Sequence, residues 1–148
     1  LNAVMRIVAH GLPAPQGSKR FVGVSKAGRG VLVESSAKVK PWRESVRYAA
    51  LRAREACGMP APLDGPLRVR MVFTLPKPKS APKRRQTLPD RTPDLSKLVR
   101  STEDALTDAG IWADDARVVE CAAAKTYPNE AEQALSSPGV WIEIEACA

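Results

Sequence analysis

TPDLSKLVRSTEDALTDAGIWADDARVVE, running from Thr92 to Glu120, holds a helix, its stop and the start of a strand. Leu95, Leu98, Val99, Thr102, Ala105, Leu106 and Ala109 recur at the spacing of one helical face. Ser96, Lys97, Arg100, Glu103 and Asp104 fall on the other side, and Gly110 marks the turn that follows. One carboxylate, Asp94, therefore stands at the helix start, with cations one turn in and the pair Asp114-Asp115 beyond the turn. Clustered carboxylate oxygens suit Mg²⁺ or Mn²⁺, and a lysine or arginine beside them suits a phosphate. The combination points to metal-assisted phosphodiester chemistry.

Working outward, Val4–His10 is strand-like and runs into a Gly/Pro-rich loop, Gly11–Gly17. Phe21–Val24 and Val31–Val33 flank a glycine-containing hairpin signal. Pro41 suits a first helical turn, and Trp42–Cys57 is predicted as a helix with Trp42, Val46, Ala49, Ala50 and Ala53 as its apolar stripe. Leu67, Val69, Met71 and Phe73 alternate with their neighbours as a half-buried strand. Pro76, Pro78, Pro82, Pro89 and Pro93 then deny helix and central-strand status to residues 76–93. Arg117–Tyr127 and Val140–Cys147 read as two last strands. The expected fold is α/β: a single domain over residues 1–148, with one mixed sheet, helices packed against it, and the order βββ-α-β-loop-α-ββ.

The 148 residues carry a net charge of +7, with a pI near 9.7. Residues 1–100 hold 21 Lys/Arg against 6 Asp/Glu, and residues 101–148 hold 2 against 10. A basic scaffold presenting an acidic cluster fits a nucleic-acid-cleaving enzyme, in which cations hold the backbone and carboxylates hold a metal. Lys77, Lys79, Lys83, Arg84 and Arg85 in the proline-rich loop are the first candidate backbone contacts. Lys19, Arg20, Lys26 and Arg29 near the early loops are the second. Scattered aromatics offer no stacking platform, which favours duplex or junction DNA over single strands.

His10 is the only histidine, which excludes a Ser-His-Asp triad and a histidine-based metal site. Cys57, Cys121 and Cys147 are odd in number, without a CxxC, and read as buried or inert reduced thiols. Neither a membrane span nor a signal-peptide pattern is visible, so a cytoplasmic setting without membrane association is expected.

The motif stretch resembles the RusA-type Holliday-junction resolvases, a family of small metal-dependent endodeoxyribonucleases. Their pattern is an Asp-x-Asp-Asn-x-x-Lys helix start, then Asp-Ala-Leu, a Gly turn, an aromatic and Asp-Asp. Here Asp94-Leu95-Ser96-Lys97-Leu98-Val99-Arg100 is followed by Asp104-Ala105-Leu106, Gly110, Trp112 and Asp114-Asp115, without a gap. The resemblance implies a homodimer acting on four-way or branched DNA with Mg²⁺ or Mn²⁺. It implies Asp94 and Asp115 as catalytic acids, with Asp114 joining them on the metal. Arg100 takes the place of the essential lysine and Lys97 that of the asparagine.

Ser96 stands where the second aspartate belongs. A carboxylate about 4 Å from a cation is worth roughly 4 kcal/mol per unit-charge pair at an effective dielectric of 20, so its loss weakens such a site. The competing reading is a non-catalytic junction- or duplex-binding protein that lost activity through Ser96. Spans also matter. A helix from Leu95 to Ala109 rises about 22 Å, and Ile111–Asp115 retraces at most about 18 Å. Joining Asp94 and Asp115 within one chain is tight, and completion by one protomer or two stays open.

Overall fold

The computed structural model describes residues 4–17, 19–24, 30–34 and 37–147, the strands within 19–34 by their backbone alone. Along the chain these are β1 (Val4–His10), β2 (Lys19–Val24), β3 (Gly30–Glu34), α1 (Val39–Ala56), β4 (Leu67–Thr74), α2 (Leu95–Asp108), a 3-10 turn (Asp115–Arg117), β5 (Val118–Thr126) and β6 (Gly139–Ala146). The expected α/β order holds. The early strands divide, however: β1 joins a four-stranded mixed sheet of order β1-β6-β4-β5, while β2 and β3 pair only with each other. Helix α1 starts three residues ahead of the predicted Trp42. Pro41 then falls within its first turn, where a backbone N–H has no helical partner to lose.

β4 lies antiparallel to β6 and parallel to β5. Parallel neighbours need a long crossover, and here residues 75–117 make it, carrying the proline-rich loop, α2 and the acidic pair. Leu67, Val69, Met71 and Phe73 of β4 are buried beside Val140, Ile142 and Ile144 of β6 and Ile7 and Ala9 of β1. Both helices join this core. Leu98 and Leu106 of α2 are fully buried, each worth about 1.5–3 kcal/mol relative to exposure. The indole N–H of buried Trp42 donates to Thr102 Oγ1 at 3.2 Å, tying α1 to α2. Ser101 Oγ donates to the Ala14 carbonyl at 2.7 Å, and the Gln16 amide donates to the Lys97 carbonyl at 2.9 Å. The loop after β1 is thereby fastened to the first turns of α2.

The end of α2 is closed by backbone chemistry. Gly110 has φ +70°; its amide donates to the Thr107 carbonyl at 3.0 Å, and the Ile111 amide donates to the Leu106 carbonyl at 3.1 Å. Ile111 and Leu106 are both fully buried, completing a Schellman stop with its apolar contact. The turn sends the chain past Leu63, whose amide donates to the Ile111 carbonyl at 2.9 Å and whose carbonyl accepts from Ala113 at 2.9 Å. Asp114 and Asp115 are thus delivered to one place. A Cβ at residue 110 would meet left-handed strain of about 1–2 kcal/mol and the Arg54 guanidinium. Gly110→Ala is expected to lower unfolding free energy by about that amount in urea titration; a midpoint equal to wild type would contradict this account of the turn.

Candidate active site

Two acidic groups stand at different heights along α2. At its start, Asp94 occupies the N-cap position with extended backbone, and its carbonyl accepts from the Lys97 and Leu98 amides at 3.1 and 3.0 Å. Its side chain makes no capping hydrogen bond. Neither side-chain oxygen is therefore spent on the helix N-terminus. Oδ2 lies 3.7 Å from Lys97 Nζ, with both side chains about half exposed, a pair worth about 0–1 kcal/mol. Ser96 and Arg100 are exposed in the first turns, and Arg100 makes no ion pair among the described residues.

Just ahead of Asp94 sits a residue that sequence reading passed over. Lys125 pairs with Phe73 in the β4/β5 register, so its side chain lies on the helix-covered face. Its ammonium donates to the carbonyls of Arg91 and Pro93 at 2.8 and 2.9 Å. It clamps the backbone entering α2 and brings a positive charge to the same end.

The second group lies past the Gly110 turn. Asp114 caps the 3-10 turn, Oδ1 accepting from the Ala116 amide at 2.7 Å. That bond and a second with Asp115 hold the Asp114 carboxyl below its usual range. The Asp115 carboxyl is pushed up, first by the hydrogen bond with Asp114, then by desolvation and by the charges of Asp114 and Asp104. Glu103 is also pushed up, by burial first, then by Asp115 and Asp104. Glu103 and Asp104, on the predicted polar face, thus crowd the acidic pair. Their contribution was illegible because it depends on where the turn returns the chain. Crowding of this kind is relieved by a cation, and two adjacent carboxylates with waters and a substrate phosphate are an adequate donor set for Mg²⁺.

Asp94 is not part of this crowd. Asp115 feels Asp104, ten residues further along the chain than Asp94, or about 15 Å of helical rise. Among the described residues, no three His, Cys, Asp or Glu side chains stand close enough to share a metal ion. The pair Asp114-Asp115 fits a metal; the trio with Asp94 is not gathered within one chain. Glu120 is engaged elsewhere, paired with Arg68 across β4 and β5. Cys57 and Cys121 are exposed rather than buried.

The basic loop divides in the same way. Lys79, Lys83, Arg84 and Arg85 are exposed. Lys77 is only 15 % exposed, and its ammonium contacts Glu130 and the Arg85 carbonyl and lies 5.8 Å from the Tyr127 ring. Glu130 also accepts from the Thr87 amide at 2.9 Å. Lys77 anchors the loop and does not present charge outward. Lys19 and Arg20 fall on β2 with side chains outside the described residues, as do Lys26 and Arg29 entirely.

The family model described as Endodeoxyribonuclease RusA matches residues 11–145. The chain belongs to the RusA endodeoxyribonuclease family. No curated protein matches the sequence. The matched span runs from the Gly11 loop to β6 and so includes both acidic groups, the basic loop and all of the core except the contribution of β1, as expected for a RusA domain rather than a grafted motif. No helix among the described residues is long and apolar enough to cross a membrane.

The Lys77 bond and the Thr87 amide hold the Glu130 carboxyl below its usual range. Its stabilising contribution is therefore present above the unfolded-state value near 4.3 and is lost as pH falls through the lower folded value. Glu130→Gln is expected to speed tryptic cleavage after Lys79, Lys83, Arg84 and Arg85 several-fold at neutral pH. Cleavage at the wild-type rate would show that this ion pair does not hold the loop.

Proposed function

We propose that this RusA-family chain is a cytoplasmic, metal-dependent, structure-selective DNA endonuclease that resolves Holliday junctions during recombination and repair, working as a homodimer. The observation that carries the reading is the β4–β5 crossover inside the matched span. It presents carboxylates at both ends of α2, an exposed arginine between them with no ion pair among the described residues, and a loop of exposed cations.

Asp114 and Asp115 would hold Mg²⁺ or Mn²⁺, with Asp94 as the further acid. The metal, when bound, supplies charge neutralisation at the phosphate and polarises water. Arg100 stabilises charge on the scissile phosphate, a role suited to a guanidinium, which is not a proton donor at neutrality. Lys97, in reach of Asp94, is the titratable cation available for proton transfer. Lys79, Lys83, Arg84 and Arg85 follow the DNA backbone, and Lys125 keeps the entry to α2 fixed while substrate binds.

Homodimerisation gains support from the separation of the acids. A two-fold enzyme matches the symmetry of a four-way junction, and Asp94 of one subunit meeting Asp114 and Asp115 of the other would complete each site. The protein is expected to cut four-way junctions in Mg²⁺ and to spare linear duplex. Asp94→Asn and Asp115→Asn are expected to abolish cutting while retaining junction affinity, since removing negative charge does not weaken attraction to phosphate. Cleavage near the wild-type rate in either variant contradicts the site. A wild-type protein that binds junctions and cuts none in Mg²⁺ or Mn²⁺ hands the case to the non-catalytic reading through exposed Ser96.

A further inference from the structure

A cavity of about 500 Å³ opens beside the start of α2, between the loop after β1, the first residues after β4 and the segment that leads into Asp94. Much of its wall is ring surface, from Pro13, Pro15, Pro76, Pro89, Pro93 and the side chain of Tyr127, with aliphatic side chains between. Two exposed cations, Lys38 and Arg91, also line it, and no carboxylate does among the described residues. The volume falls within the roughly 300–1,000 Å³ typical of small-ligand sites. Flat apolar walls with a cationic edge match a nucleotide: the rings cover the faces of a base while the cations meet the flanking phosphates. The position bears on function as well. Arg91, Thr92 and Pro93 belong to the wall and directly precede Asp94, and Lys125 fixes that segment through the carbonyls of Arg91 and Pro93.

We propose that this cavity receives one unstacked base from the branch point of the DNA, setting the adjoining phosphate at the start of α2. The inference rests on the DNA-cleaving reading above and deepens it, since it says how a branched substrate differs from a duplex at this surface. Extruding a base costs unstacking and unpairing energy, and at the branch point the last pair of each arm lacks the continuous stacked neighbour that it has within a duplex. A duplex presents no such base to the cavity, so selection for branched DNA follows from the shape of the wall.

The test uses a four-way junction carrying 2-aminopurine at the crossover, bound without divalent metal so that no strand is cut. The base analogue brightens when it leaves the stack. Wild-type protein is expected to raise its fluorescence several-fold, and to leave a probe in the middle of an arm unchanged. Thr92→Trp and Pro78→Trp each fill the cavity from an exposed wall position; with folding verified by circular dichroism, both are expected to suppress the rise while junction affinity stays close to wild type. No rise with wild-type protein, or an undiminished rise in both folded variants, overturns the proposal. So does altered sedimentation of the variants without any change in fluorescence, which would assign the groove to a second copy of the chain. Cutting by wild-type protein in Mg²⁺, measured separately, keeps the two readings apart. Fluorescence gain without cleavage refutes the nuclease and leaves the base site standing. Cleavage without gain refutes the base site alone.

Discussion

Parallel pairing of β4 with β5 is the constraint on which the molecule depends. Antiparallel neighbours could be joined by two residues, but parallel ones cannot. The chain must leave the sheet, cross its face and return, and the acidic groups, Lys97, Arg100 and the proline-rich basic loop all lie on that excursion. Burial of Leu98, Thr102, Ala105 and Leu106 lays α2 on the sheet and fixes both of its ends. Lys125 clamps the entrance and the Schellman turn at Gly110 governs the exit, so the two acidic groups are held by the packing that closes the core.

Charge follows from this arrangement. The entrance collects Asp94, Lys97 and Lys125; the exit collects Asp114 and Asp115, crowded by Glu103 and Asp104. At the exit Asp115 and Glu103 are pushed up by burial and by their acidic neighbours, whereas Asp94, 3.7 Å from the Lys97 ammonium, already has part of its charge compensated. The two groups are therefore not equivalent. In the proposed reading, the exit is where a hard metal would bind and the entrance is where a phosphate oxygen would meet positive charge. The cations of the crossover loop divide just as sharply, with Lys77 turned inward to Glu130 and Tyr127 and its neighbours left to solvent.

Much of the fold was legible because local periodicity carried it. The stripe from Leu95 to Ala109 and the Gly110 stop specify α2 almost to the residue, and alternation specifies β4. What local pattern does not encode was missed: that β5 runs parallel to β4, and that the β2–β3 pair stays apart from the main sheet. The same limit applies to the site. Asp94, Lys97, Arg100 and Asp114-Asp115 stand out by spacing, yet Lys125 is an unremarkable strand lysine until the β4/β5 register turns it toward Pro93. Lys77 reads like Lys79 until Glu130, 53 residues away, takes its charge. Helical rise alone warned that Asp94 and Asp115 would not meet easily in one chain, and no shared metal cluster forms among the described residues.

That separation makes the central claim testable by mixing two dead enzymes. Asp94→Asn and Asp115→Asn would be purified apart, combined so that subunits exchange, and assayed on a four-way junction in Mg²⁺. If each site draws Asp94 from one subunit and Asp114-Asp115 from the other, a mixed dimer contains one intact site and one doubly broken site. The mixture is then predicted to recover single-strand nicking of the junction that neither variant shows alone. A mixture as inactive as its components, with subunit exchange verified, would contradict the account and return the whole site to a single chain.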